Sequence, residues 1–219
     1  MESFLIFVIC WRFLATFTFF ALPIVISGAY AQSQYTVHLL DQNSQPIADA
    51  VVVFDDQRIV NQDSSTGIMD QRDRQFVPHV LVVGKGAQVS FPNSDNIRHH
   101  VYSFSEPKRF EIKLYADQPE DPVVFDKSGI VILGCNIHDT MLGYIFVSEW
   151  EYYAKTDAQG EATVSLEQAP KRLRLWHPRL LKPSELVTVD TLKWQNNRYS
   201  MQLELSEPAP VRKESRFRR

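Results

Sequence analysis

The hydrophobic pattern of the chain beyond its N-terminal segment consists of short apolar runs and of segments in which apolar and polar residues alternate. Alternation over residues 35–40 (YTVHLL) and 108–115 (KRFEIKLY) predicts strands with one buried face. The apolar runs at residues 47–54 (IADAVVVF), 129–134 (GIVILG) and 142–147 (LGYIFV) predict buried strands. The pattern therefore predicts an all-β protein.

The first residues follow a different pattern and are predicted to be a signal peptide spanning 1–31. Residues 13–27 are uncharged and apolar, and Ala-Tyr-Ala at 29–31 offers the small residues that signal peptidase requires. Because Glu2 and Arg12 make an untidy leading segment, an uncleaved anchor stays open as the alternative. We expect cleavage after this segment, export to the periplasm, and no stable membrane insertion of the mature chain.

Candidate chemistry is concentrated in residues 135–141 (CNIHDTM). Cys10 leaves with the signal peptide, so Cys135 is predicted to be the single thiol of the mature chain. A free thiol in an oxidising compartment is a liability unless it is buried or bound to metal. Thiolate, imidazole and thioether are ligands that suit copper, so Cys135, His138 and Met141 are candidate ligands.

A further histidine must come from elsewhere in the chain to complete such a site, and His99 and His100 are the candidates. The 135–141 segment lies between two predicted strands, so we expect a sheet to hold it rigid. A cysteine beside a histidine is also a common structural pair in protein cores, and that interpretation stays open here.

Residues 91–102 (FPNSDNIRHHVY) together with Cys-x-x-His at 135–138 resemble the cupredoxins, the plastocyanin and pseudoazurin group. The resemblance covers about residues 76–148 and implies a Greek-key sandwich with one type 1 copper ion. It implies the ligands His99, Cys135, His138 and Met141. His99 takes the ligand position and His100 falls where those families have asparagine, so His100 is the alternative ligand. Plastocyanin-like chains place the axial methionine two residues later than Met141, whereas the copper domain of oxidases has the same spacing as this chain.

A second resemblance is to carboxypeptidase-regulatory-like or transthyretin-like β-sandwiches. Its two halves are residues 34–57 and 152–205, which we expect to pair in space around the inserted copper domain at 76–148. The alternative is that the N-terminal strands join the copper sheet. Residues 58–75 are predicted to be a linker, and residues 206–219 a disordered basic tail.

Composition and the absence of certain motifs reduce the number of plausible functional classes but do not identify the function. The chain of 219 residues is 44% hydrophobic and carries a net charge of -3, which gives no reason to expect nucleic acid as a partner. No paired catalytic carboxylates, nucleophile elbow or phosphate loop is present, so we do not expect an enzyme. The cupredoxin resemblance implies a one-electron carrier between an unidentified redox donor and acceptor, with methylamine utilisation as one context. A copper-delivery protein and a metal-free β-sandwich binding module are the alternatives.

Overall fold

The structure is a computed structural model that describes residues 32–55, 65–117 and 121–208. The predicted signal peptide and residues 209–219 of the predicted basic tail lie outside these residues. Within the described part of the chain there are seventeen strands and no helix, which confirms the all-β prediction. Accordingly, none of the described residues forms a helix that could span a membrane.

The strands follow the chain in this order: β1 (Ser33–Asp41), β2 (Val51–Asp55), β3 (Thr66–Ile68), β4 (Asp70–Arg72), β5 (Gln75–Val77), β6 (Val80–Gly84), β7 (Gln88–Ser90), β8 (His99–Ser103), β9 (Phe110–Tyr115), β10 (Val123–Val124), β11 (Gly129–Cys135), β12 (His138–Ser148), β13 (Tyr153–Lys155), β14 (Glu161–Leu166), β15 (Arg172–Trp176), β16 (Val187–Val189) and β17 (Arg198–Leu203).

Two sheets join the N-terminal strands to the C-terminal part of the chain. β1 lies between β14, which is antiparallel to it, and β17, which is parallel. β2 lies between β13 and β15, and β16 extends that sheet at its edge. Their apolar side chains share one core, and all five residues of β2 are buried. The described residues nevertheless belong to one compact unit, so a separate second domain stays a prediction.

A second pair of sheets contains the candidate ligands, all of which lie on the larger sheet of the pair. One sheet has the order β6-β12-β11-β8-β9, and a smaller one has the order β10-β7-β3. The core at these sheets is formed by buried residues from both of them, from β5 and from neighbouring loops: Met69, Phe76, Val83, Ala87, Val89, Phe91, Val101, Phe125, Val131, Leu133, Cys135, Met141, Ile145 and Val147.

β12 contributes to both cores, which explains its apolar run. Ile145 and Val147 face the core that contains Cys135, whereas Phe146 belongs to the core built around β1 and β2. Trp176 of β15 packs on the outward face of β12, with its ring centroid 5.6 Å from that of Tyr144 and 6.0 Å from that of Phe146. A strand buried on both faces needs apolar residues at consecutive positions, as this one has.

The prediction of a linker at residues 58–75 is wrong for part of that segment. Residues 66–68 form β3 and residues 70–72 form β4. β3 pairs in parallel with β7, and β4 forms a hairpin with β5. Met69 between them is completely buried. A Cβ atom at Gly67 would lie 3.1 Å from the side chains of Leu81 and Val83, so glycine permits this close approach. Two strands of three residues give no periodic signal, which is why the sequence pattern indicated a loop.

Buried His177 is predicted to make the fold sensitive to acid. Burial, and secondarily the charge of Arg179, lower the pKa of His177 from 6.5 to about 4. Its Nδ1 accepts a hydrogen bond from the Arg179 N–H at 3.2 Å, as the neutral ring requires. At pH 7 the ring is neutral in both states, but below pH 6.5 the unfolded chain binds a proton that the folded chain does not. Stability is therefore lost as the pH falls from 6.5 towards 4.

Urea unfolding of His177→Gln and of the wild type at pH 7 and pH 5 tests this expectation. The wild type should lose about 2 kcal/mol more free energy of unfolding between these pH values than His177→Gln does. His38→Gln, on β1, is the control and should show the wild-type loss. An equal loss in all three proteins would show that His177 does not cause the acid sensitivity.

Candidate metal centre

The hairpin of β11 and β12 brings Cys135 and His138 together. In the antiparallel register of these strands Cys135 pairs with His138, but the preceding residue Gly134 pairs with Leu142. The register shift places residues 139–141 as extra residues on β12. Such irregularities bend a strand and redirect its side chains, here at the end of the hairpin. The Cys-x-x-His spacing is thus the spacing of a tight turn with both side chains at its base.

β8 supplies the third member of the group. Its residues alternate between buried and half-buried positions, and His99, Val101 and Ser103 are the buried ones. Val101 pairs with Cys135 on the neighbouring strand β11. His99 is completely buried, and its ring centroid lies 5.1 Å from that of His138.

A loop organised by Asn93 leads into His99. The Asn93 side-chain amide donates to the carbonyl of Ile97 at 2.8 Å and to that of Tyr115 at 3.2 Å. Its Oδ1 accepts the backbone N–H of Asp95 at 3.0 Å. Asparagine side chains commonly replace backbone partners in turns in this way. The loop is therefore tied to β9 at the residue facing His99, since His99 pairs with Tyr115.

The donor atoms of His99, Cys135 and His138 converge. Cys135 Sγ lies 3.6 Å from His99 Nδ1 and 3.7 Å from His138 Nδ1. The ligand atoms of the three residues all lie within 4.8 Å of one another. Within the described part of the chain, His99, Cys135 and His138 thus form a group that could hold a metal ion.

These separations fit a metal held by all three residues. Thiolate bonds of about 2.3 Å and imidazole bonds of about 2.0 Å, at angles between tetrahedral and trigonal, put sulfur and nitrogen about 3.5 to 3.7 Å apart. The observed distances of 3.6 and 3.7 Å fall in that range. The thiolate of Cys135 therefore stands at bonding geometry for an ion shared with either imidazole.

The site is buried on one side and approaches the surface on the other. Cys135 is 3% exposed and is a free thiol, and His99 is fully enclosed. His138 is half-buried. On the same hairpin, Ile137 and Leu142 leave about half of their surface in solvent, at 50% and 47%. The hairpin that carries the half-buried imidazole therefore also exposes two large apolar side chains.

His100 lies outside the group, although it is adjacent in sequence to His99. Its Nε2 lies 2.9 Å from Oε1 of Glu111 on β9, and its ring packs edge-on against Tyr102. Consecutive residues of a strand point to opposite faces of the sheet, so only one of the two histidines can face Cys135. The structure brings His99 to the cluster and leaves His100 on the other face.

Met141, the fourth candidate ligand, is 1% exposed and belongs to the same buried apolar cluster as Cys135. Its position among the extra residues of β12 follows from the register shift at Gly134. The structure thus places all four predicted ligands in or next to one core, while their roles as ligands stay a prediction.

Sequence reasoning missed Asp95, which contacts the far side of the His99 ring. His99 Nε2 lies 2.7 Å from Asp95 Oδ2. Burial raises the pKa of Asp95, but hydrogen bonds from the backbone of Arg74, from His99 and from the backbone of Asp73 outweigh it, so the pKa is lowered overall. An ionised carboxylate only accepts hydrogen bonds, so His99 donates to it through Nε2, and Nδ1 is the ring nitrogen that faces Cys135. The sequence feature that could have indicated this contact is a carboxylate four residues before a candidate ligand.

Comparisons with known proteins give partial likenesses. No protein-family description matches the chain, and no curated protein matches it. Among solved structures, a purple cupredoxin from Nitrosopumilus maritimus aligns at 20% identity and TM-score 0.33, covering 39% of this chain and 100% of that protein. A point mutant of amicyanin in its oxidised state aligns at 19% identity and TM-score 0.34, covering 38% of this chain and 83% of that protein.

A copper-containing nitrite reductase from Thermus scotoductus aligns at 24% identity and TM-score 0.36, covering 52% of this chain and 28% of that protein. Scores and identities this low do not assign the chain to a family. The fold and site themselves define an all-β protein with a preformed His-Cys-His group that could bind a metal.

Proposed function

We propose that the chain is a mononuclear copper protein of the type 1 class, with His99, Cys135, His138 and Met141 as ligands. The observation that carries this proposal is the pair of sulfur-to-nitrogen distances, 3.6 and 3.7 Å, between Cys135 and the two histidines. Two imidazoles and a thiolate with a methionine nearby are the donor set of electron-transfer copper sites. Structural zinc sites instead usually have four histidine or cysteine ligands.

The proposed activity is that of an exported one-electron carrier, not an enzyme. Bound copper would supply exchange between Cu(I) and Cu(II). The chain contributes rigidity, because Cys135 ends β11, His99 begins β8, and backbone hydrogen bonds join the two strands directly. Ligands held in this way need little rearrangement when the charge at the site changes.

Access for redox partners is proposed at the exposed end of the hairpin. His138 is the half-buried imidazole, and the same hairpin exposes the apolar side chains of Ile137 and Leu142. An apolar surface around a charge-carrying group lets a partner approach closely without desolvating charged side chains. A donor and an acceptor protein in the periplasm would meet the chain there, in keeping with the N-terminal signal pattern.

The test is to purify the mature chain, add one equivalent of Cu(II), and record the visible and electron paramagnetic resonance spectra. A type 1 centre should give an intense thiolate-to-copper absorption and bind one ion per chain. A colourless complex that retains Cu(I) tightly would indicate copper delivery instead. If no ion binds stoichiometrically, the chain is a β-sandwich module without a metal.

Met141→Leu separates the proposed axial role of the thioether from its packing role. Leucine has nearly the volume of methionine, so the cost to the free energy of unfolding should stay below about 1.5 kcal/mol. Loss of a weak axial ligand should keep the intense absorption but shift its maximum and change the reduction potential. The control is Ile145→Leu, in the same core, which should leave both unchanged. A spectrum and potential identical to the wild type would remove Met141 from the ligand set.

A further inference from the structure

Asp95 is the centre of a hydrogen-bonded arrangement that connects the candidate ligand His99 to a distant turn. Its Oδ1 accepts the backbone N–H of Asp73 at 2.6 Å, and its Oδ2 accepts that of Arg74 at 3.0 Å. The same Oδ2 lies 2.7 Å from His99 Nε2. The Asp95 side chain is only 11% exposed, and that of His99 is fully buried. Three donors thus point at one carboxylate that is only slightly exposed.

The turn that supplies two of these donors has an unusual backbone. Asp73 and Arg74 both have left-handed conformations, with φ of 53° and 59°. Positive φ at both central residues is typical of the type I′ turn, which suits the twist of a two-residue hairpin such as the one joining β4 and β5. Because the turn directs consecutive N–H groups at Asp95, the carboxylate is fixed before any metal binds.

A second carboxylate-histidine pair in the chain shows what is specific about this one. Glu111 Oε1 lies 2.9 Å from His100 Nε2, but the Glu111 side chain is 56% exposed. An exposed pair of this kind contributes little and does not hold a ring in place. His100 also has no part in the donor cluster, so its carboxylate cannot affect the site through a ligand.

We propose that Asp95 is a positioning residue of the metal centre: its carboxylate holds His99 with Nδ1 towards Cys135 and strengthens Nδ1 as a donor to the oxidised ion. This inference rests on the proposed copper function. A carboxylate on the far nitrogen of a ligating histidine fixes its tautomer and raises its basicity, and losing such a partner commonly costs 10 to 100 fold in metal affinity. A stronger donor favours Cu(II) over Cu(I), so the carboxylate lowers the reduction potential.

The experiment compares Asp95→Asn with the wild type, because asparagine keeps an oxygen for the turn amides but removes the charge. In copper-loaded protein, Cu(II) affinity should fall about tenfold relative to Cu(I) affinity. For a one-electron couple this is a rise in potential of about 59 mV. In the metal-free wild type, nitrogen-15 NMR should show that Nε2 of His99 carries a strongly hydrogen-bonded proton. In metal-free Asp95→Asn the resonance of this proton should shift upfield.

Glu111→Gln is the matched control, since it removes the same charge from the His100 pair, and should leave the potential and the His99 signals unchanged. If Asp95→Asn does not fold, as urea unfolding would show, Asp95→Ser replaces it and offers one oxygen to the turn. Wild-type potential and unchanged His99 signals in a folded, copper-binding Asp95 variant would overturn the inference. Failure of the wild type to bind copper would overturn the proposed function instead, and the metal-free NMR result would still decide whether Asp95 orients His99.

Discussion

Replacing Cys135 by serine is expected to abolish the intense visible absorption of the copper-loaded protein. That absorption requires a thiolate bound to Cu(II), and Cys135 is the free cysteine of the described chain, 3.6 Å and 3.7 Å from the two histidine nitrogens. A hydroxyl remains protonated at neutral pH and is a hard, poor ligand for copper. Absorption should therefore fall to the background, and the electron paramagnetic resonance spectrum should change to that of an ordinary Cu(II) site or of unbound copper.

Val131→Thr is the control for a polar group placed in the same core. Val131 is completely buried on β11 and faces the same core as Cys135, but it carries no donor atom. Its replacement should cost about 1 to 3 kcal/mol of unfolding free energy while the visible absorption persists. If absorption of wild-type intensity survives in Cys135→Ser, the colour does not arise from this thiolate and the proposed type 1 centre is wrong.

The part of the site that could be predicted from sequence is the part determined by local chain geometry. Cys135 and His138 are joined by a tight turn between two apolar strands, so their proximity follows from the hairpin itself. The strands also follow from pattern, since the predicted run at residues 129–134 lies within β11 and the run at 142–147 lies within β12. Hydrophobic patterning acts over neighbouring residues, and these features need nothing beyond it.

Features that depend on tertiary packing could not be predicted in this way. Gly67 and Met69 are single buried residues in or beside short strands, without any period. The role of Asp95 requires the turn at Asp73 and Arg74 to reach it, about twenty residues earlier in the chain. Nothing in the local sequence specifies such a meeting, because the pairing of β3 with β7 and of β4 with β5 determines where the turn lies.

The choice between His99 and His100 depends partly on local chain geometry and partly on tertiary packing. The sequence predicts that adjacent strand residues face opposite sides, but the register of β8 decides which residue faces inwards. β8 pairs with β11 through Val101 and Cys135, and alternation from Val101 puts His99 on the buried face. A shift of one residue would have exchanged the two histidines.

His99→Ala should therefore prevent formation of the coloured copper complex, whereas His100→Ala should preserve it. Loss of a ligand should lower Cu(II) affinity by more than the roughly 100-fold that follows loss of a residue hydrogen-bonded to a ligand. Loss of the His100–Glu111 pair should change Cu(II) affinity less than about tenfold. Competitive titration with a chelator and the visible spectrum measure both, and urea unfolding confirms that each variant is folded. Since the two substitutions delete the same side chain at adjacent positions, each controls for the other. Colour lost only in His100→Ala would mean that β8 pairs in the shifted register when copper is bound, and that the buried Asp95–His99 pair serves the fold and not the metal.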